Sequence, residues 1–302
     1  GAPCINMVLE TILAAAVTAA VTAAIPKKWC ANLNRADDVG RSVTLLATGT
    51  QEEKQAAAAV LARLARKDND ERVAINQAGG VEPLVALVHD GTSGQRQEAA
   101  AALVNLAINA DNRVAIAQAG GIAPLVALAR SGTDGQKEEA AAALWNLAHN
   151  ADNQVAIAQA GGIAPLVALA RGGSDGQKEH AAGALRNLAA NADNQVAIAQ
   201  AGGIAPLVAL ARGGTDGQKE QAAGALWYLT ANAANRAAIA EAGGIAPLVA
   251  LARGGTDGQK EQAAGALRNL ACNDDNKVAI ARAGGIAPLV ALARGGTDGQ
   301  KE

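Results

Sequence analysis

The chain has 302 residues, and its 26 basic and 28 acidic side chains leave a net charge of −2, so it carries no electrostatic footprint for nucleic acid. Half of it is apolar, yet it contains no Phe, one Tyr and one Met, so a core must come from close approach of Ala, Leu, Ile and Val rather than from large rings. Cys4, Cys30 and Cys272 are odd in number and share no metal-ligand spacing, which argues against a disulfide framework and for a reducing compartment.

Residues 1–50 follow no repeat, and Gly1 is not an initiator methionine, so the chain reads as a processed product or a fragment. Met7–Ile25 is almost uncharged, Glu10 excepted, and Pro26, Lys27 and Lys28 follow it. Three readings stay open for this segment: a helix packed over an open end of the fold, a membrane span or anchor, and a targeting segment. Its Ala and Thr content gives less drive for insertion than Leu, Ile or Phe would. Trp29–Asp38 reads as a polar connector. Val39–Ala47 then reads as a degenerate copy of the second helix of the block described next, with Val43, Leu45 and Leu46 in place but no proline. Thr50–Arg66 reads as a third helix.

From residue 68 the chain repeats. Pro83, Pro124, Pro165, Pro206, Pro247 and Pro288 recur every 41 residues in a shared Gly-Gly-x-x-Pro-Leu-Val-Ala-Leu context, the mark of a stacked repeat protein. One block predicts three helices. The first covers Val155–Ala160, with Asp152 and Asn153 as cap candidates, and Gly161–Gly162 ends it. The second, Ile163–Arg171, carries Pro165 near its first turn and Ile163, Leu166, Val167 and Leu169 as its apolar set. After a glycine loop, Ser174 and Asp175 are candidate caps for a third helix over about Gln177–Ala190, with Ala182, Leu185 and Leu188 on one stripe.

The copies differ mainly on one face of this third helix. The reference position of its Ala-Leu-x-Asn-Leu-Ala motif holds Asn105, Asn146, Asn187, Tyr228 and Asn269. At 100° per residue, the flanking leucines mark the buried side. The opposite side holds the reference residue, those seven, four and one before it, and that three after it. Seven before are Glu98, Glu139, His180, Gln221 and Gln262; one before are Val104, Trp145, Arg186, Trp227 and Arg268; three after are Ile108, His149, Ala190, Ala231 and Cys272. Tryptophan and arginine on such a stripe are residue types that anchor interfaces.

Short helix, double glycine, medium helix, glycine loop and long helix at this period resemble the armadillo repeat rather than the two-helix HEAT repeat. The resemblance spans Asp68 to the C-terminus and implies an all-α, right-handed α–α superhelical solenoid of 41-residue three-helix repeats. It divides the chain into an N-terminal helical cap or anchor segment with a degenerate first repeat (1–48), the third helix of that incomplete repeat (49–67), five armadillo repeats (68–273) and a partial C-terminal repeat (274–302). In this family the third helix lines a concave groove, and an asparagine at the reference position is similar to the ladder that grips an extended peptide backbone; an amide both donates and accepts. With third helices about 8–10 Å apart and about 3.3 Å per extended residue, the rungs would read on the order of 10–15 ligand residues. Tyr228, and Arg63 in the first third helix, depart from the ladder.

The resemblance thus implies a non-enzymatic scaffold that holds a protein or extended peptide, with Asn105, Asn146, Asn187, Tyr228, Asn269, Trp145, Trp227, Arg186, Arg268, His149 and His180 as its groove residues. It implies no catalytic residue, metal or cofactor and no nucleic-acid partner. Nuclear-import receptors of the family carry Trp four residues before the asparagine, where this chain has Ala or Gly, so plant-type and vacuolar adaptors are the closer likeness. A plainer role stays open for each residue. The asparagines could satisfy backbone groups between helices, the tryptophans could pack on an adjacent repeat, and the arginines could be solvated charges. Cys272 reads as a small apolar filler. A cytoplasmic or other intracellular location is expected, with organelle or membrane association through Met7–Ile25 left open. The other functional readings are a structural or linker subunit held by that segment and a consensus-like engineered repeat protein.

Overall fold

The computed structural model describes residues 35–301; the readings for Met7–Ile25, Cys4 and Cys30 lie outside them. Every regular element described is a helix, and the helices follow the 41-residue period.

The repeat over 150–190 stands for the others. Asn150 caps the first helix, Ala151–Gln159, its side chain accepting the Asn153 N–H at 3.0 Å. The helix therefore begins four residues before the expected Val155, and Asn150 does the work assigned to Asp152 or Asn153. Gly161, at φ 75°, turns the chain where a side chain would be strained, while Gly161 N and Gly162 N close onto the carbonyls of Ala158 and Ile157. The second helix, Ile163–Gly172, leaves at 86° to the first. The third, Asp175–Leu188, starts at a reciprocal capping box of Ser174 and Gln177, two residues before the expected Gln177.

Leu166, Leu185, Leu188 and Ile157 are fully buried at the centre of each repeat, and alanines close the helix crossings. Among the described residues no aromatic side chain is fully buried in this core, although Trp145 and Trp227 pack against it. Successive third helices pack side by side through the described residues, and each also packs on the second helix of its own repeat.

The N-terminal unit keeps this plan. The helix Arg35–Thr48 begins inside the expected polar connector, and Val43 lies 3.2 Å from the point where a Cβ on Gly80 would stand. Val85 has the same relation to Gly121 one repeat on, at 3.1 Å, so this helix is structurally a second helix without its proline. Its third helix is Gln51–Lys67, capped by Thr50 and Glu53. At the other end, Asp298–Lys301 forms one turn of a third helix.

Candidate functional site

Three ladders of side-chain amides hold the third helices in register. The capping-box glutamine of each turns an Nε2 N–H onto the first turn of the preceding third helix: Gln136 donates to Ser93 O and Gln177 to Asp134 O, each at 2.8 Å. The first-helix asparagines form the second ladder. Asn153, 3% exposed, donates to Leu147 O of the preceding third helix and to Arg113 O of the preceding first helix, each at 3.2 Å.

The reference asparagines are the third ladder. Asn146 Nδ2 donates to Val104 O at 2.9 Å and Asn187 Nδ2 to Trp145 O at 3.1 Å. Asn105, buried, spends both N–H groups, on Ala62 O and Ala101 O. Asn269 reaches Thr230 Oγ1 at 3.2 Å, and that hydroxyl in turn donates to Trp227 O. Each amide thus bolts its helix to the repeat before it. Asn146 and Asn187 are half-buried and keep one N–H and the carbonyl oxygen outside this bond. Tyr228 has no amide to offer; it is 40% exposed and its ring stacks on Trp227 at 5.9 Å.

The residue before each reference position lies across the next repeat. A Cβ on Gly183 would stand 2.5 Å from Trp145 Cε2, one on Gly265 2.5 Å from Trp227 Cε2, and one on Gly224 2.7 Å from Arg186 Nε. Where the large side chain is replaced by Val104, the facing residue is Ala142 instead of glycine. Trp145, Arg186 and Trp227 are therefore half-buried slabs that rest on the next repeat and keep part of their surface accessible. His180 tilts against Trp145 with ring centroids 5.9 Å apart, while Arg186 Nη1 donates to Gln221 Oε1 at 3.1 Å. Arg268 is exposed.

A second row of this kind escaped the sequence reading. Glu138, Glu179 and Glu220 lay their carboxylates over Gly176, Gly217 and Gly258, at the start of the next third helix, within 2.4–2.6 Å of where a Cβ would be. Glu138 also accepts from Ser174 Oγ at 3.1 Å. The signal was available: glycine as the second residue of a helix is unfavourable unless something approaches closely.

Charge on the stripe is uneven. Burial raises the Glu98 carboxyl above its usual range; burial, then Glu138 and Glu98, raise Glu139, which Arg66 partly opposes. His149 is exposed at the C-terminal end of its helix, and partial burial, then Arg113 and Arg186, lower its pKa. Cys272 is exposed and free, so it fills no gap in the core. Among the described residues no three His, Cys, Asp or Glu side chains are grouped to hold a metal, and no single helix is long and apolar enough to cross a membrane.

No curated protein matches the chain. Several solved structures do. One engineered protein is 34% identical with a TM-score of 0.73, covering 78% of this chain and 97% of its own. Another is 35% identical with a TM-score of 0.80, covering 87% and 66%. A designed armadillo repeat protein in complex with the peptide (KR)4 is 27% identical with a TM-score of 0.70, covering 77% and 99%. The likeness found is thus to engineered and designed armadillo proteins, not to plant-type or vacuolar adaptors in particular. The armadillo/beta-catenin-like repeat family itself matches residues 68–108, 109–149, 150–190, 191–231 and 232–272. With more than half its length in five such repeats, on a solenoid bolted at that period, this chain belongs to the armadillo repeat family, a family of scaffolds.

Proposed function

We propose that the chain captures an extended peptide segment of a partner protein along the stripe of its third helices, without chemistry of its own. The observation that carries this is the row of half-buried Trp145, Arg186 and Trp227 slabs, each seated on a glycine of the next repeat with part of its surface accessible. Such side chains are already ordered before a ligand arrives, so little conformational freedom remains to be lost on binding. The designed armadillo protein that holds (KR)4 supports the same mode. Tyr228 adds an exposed ring beside Trp227, and Asn146 and Asn187 keep one donor and one acceptor for a peptide group. Asn105 serves as a bolt, its N–H groups being spent. Arg268, His149 and His180 line the flanks. The same proposal places the chain inside a cell, where an odd, exposed thiol needs no oxidised partner.

The test is selection from a displayed library of unstructured peptides of about twelve residues, followed by affinity measurement against a Trp145→Val, Trp227→Val variant. Valine stands at the equivalent position 104, so helical circular dichroism is expected to survive. Loss of affinity by about tenfold or more is expected for two anchor residues. Recovery of no peptide, or undiminished affinity in the variant, overturns the proposal. A second reading, a consensus-like engineered repeat protein without a natural partner, draws on the identity to engineered chains; with it no natural extract would yield a groove-bound partner.

A further inference from the structure

The structure assigns Asp134–Gly135 as a site of spontaneous covalent modification, where the main chain isomerises to isoaspartate while the sister pairs at 175, 216 and 257 are held. Asp-Gly opens the third helix of five blocks, at 134, 175, 216, 257 and 298. The local sequence is Thr-Asp-Gly-Gln-Lys-Glu each time, with Ser174 in place of Thr at the second. A difference between these sites therefore comes from the neighbouring repeats.

The reaction is a ring closure that needs only water. Gly135 N bonds to Asp134 Cγ, the amide proton and a side-chain oxygen leave as water, and a succinimide results. Water then adds at the former main-chain carbonyl and breaks its bond to Gly135 N, leaving a β-linked chain of unchanged mass; opening at Cγ instead restores aspartate. Glycine puts no Cβ beside the attacking nitrogen, and a first-turn N–H has no partner within its helix. What remains necessary is a carboxyl free to turn and a nitrogen able to give up its proton.

Two contacts withhold these at the sister sites. Gln218, Gln259 and Gln300 donate to Oδ1 of Asp175, Asp216 and Asp257 at 3.2, 3.3 and 3.2 Å, besides bonding the main-chain oxygens. The carboxylates of Glu138 and Glu220 lie 2.6 Å from where a Cβ on Gly176 or Gly258 would stand, with Glu179 likewise over Gly217. A fixed negative charge there opposes loss of the glycine amide proton. At 134 both contacts are missing. Gln177 reaches only Asp134 O, at 2.8 Å, and the exposed Asp134 carboxylate takes part in no hydrogen bond or ion pair among the described residues. The side chain over Gly135 is Gln97, a neutral amide, 3.0 Å from the Cβ position. Isomerisation adds a methylene to the backbone at the very carbonyl that takes the Gln177 bolt. The junction between Asp134–Leu147 and Asp175–Leu188 is thus the one that ages.

The test is to hold the full chain for weeks near neutral pH at body temperature, digest it with trypsin, and score isoaspartate by chromatographic separation at equal mass. Residues 131–137 and 172–178 are released as different peptides, marked by Ser131 and Ser174. In the folded chain 131–137 is expected to carry at least about fivefold more isoaspartate than 172–178, the scale of one like charge about 4 Å away even in water. In guanidinium, where only local sequence acts, the two should match. Gln97→Glu, which places at 97 the residue found at 138, 179 and 220, should slow 131–137 by about the same factor. Equal amounts in the folded chain, or none in either peptide, overturn the assignment. So does an excess that persists in guanidinium, or a rate at 131–137 that Gln97→Glu leaves unmoved.

Discussion

The glycine at position 183 is explained by the neighbouring repeat. A methyl there would meet the Trp145 ring at 2.5 Å, and a ring wedged between helices cannot give way as a flexible chain end can. Gly183→Ala should therefore destabilise the protein by about 1–3 kcal/mol, the usual cost of overpacking, even though alanine is the better helix former. Combining it with Trp145→Val should recover most of the loss, because Val104 over Ala142 already shows that pairing to fit. A double-mutant cycle in urea reads the coupling; additive effects would remove the size-matching account. Gly176→Ala is the contrast. The atoms it meets are the Glu138 carboxylate, which can swing aside, so that change should be near neutral. Charge on the stripe has its own signature. Glu98 and Glu139 have folded pKa values above the unfolded value of 4.5. A carboxyl with a raised folded pKa binds its proton more tightly in the native state, so it costs stability above that pKa and ceases to do so as pH falls to the unfolded value. A Glu98→Gln, Glu139→Gln variant should thus be more stable than the parent at pH 7, with the advantage fading as the pH approaches 4.5. An advantage independent of pH would show that burial of the charge is not its cause.

Helices in this chain are delimited by local signals but held by distant ones, and only the first kind can be read along the sequence. The double glycine, the proline and the Thr or Ser before each third helix placed those elements to within a few residues. The first helix was placed late because three polar residues, Asn150, Asp152 and Asn153, compete for its start. The cap is Asn150, and Asn153 looked like a cap only because its true partners, Leu147 O and Arg113 O, are backbone groups 6 and 40 residues away. The reference asparagines gave the same difficulty: their stripe was legible, while the direction of their amides toward the preceding repeat was not. Removing these bolts should cost stability in proportion to burial. Asn153→Ala removes two hydrogen bonds in a dry crossing, although Leu147 O keeps the Asn150 N–H, and should cost about 2 kcal/mol, whereas Asn146→Ala, half-buried with one such bond, should cost about 1 kcal/mol. Urea midpoints at unchanged slope measure both; a larger loss for Asn146→Ala would reverse the assignment of the main bolt.

Along the whole molecule, each repeat buries its apolar face only against its neighbours, so stability is a sum of local terms and nearest-neighbour interfaces. That is why the period alone was enough to give the architecture, and why it gave little about the third-helix stripe, whose contacts join positions 35 to 43 residues apart in different copies. It also means that the same sequence is held unequally along the stack. Ile245 is 7% exposed and Val249 2%, while their counterparts in the last block, Ile286 and Val290, are 60% and 42% exposed. Uncovering two such side chains forfeits on the order of 1 kcal/mol each, and in a linear array that loss stays local instead of spreading to the whole chain. Native-state hydrogen exchange of the 302-residue chain should show it directly. Amides of Ile286–Gly295 are expected to exchange at least about tenfold faster than those of Ile245–Gly254, an identical stretch of sequence, the factor corresponding to about 1.4 kcal/mol. Extending the chain by the rest of a third helix, copied from 259–272, should restore cover over Ile286 and bring the two rates together. Equal protection in the unextended chain would mean that the stack opens as one unit, and that nearest-neighbour burial does not govern its stability.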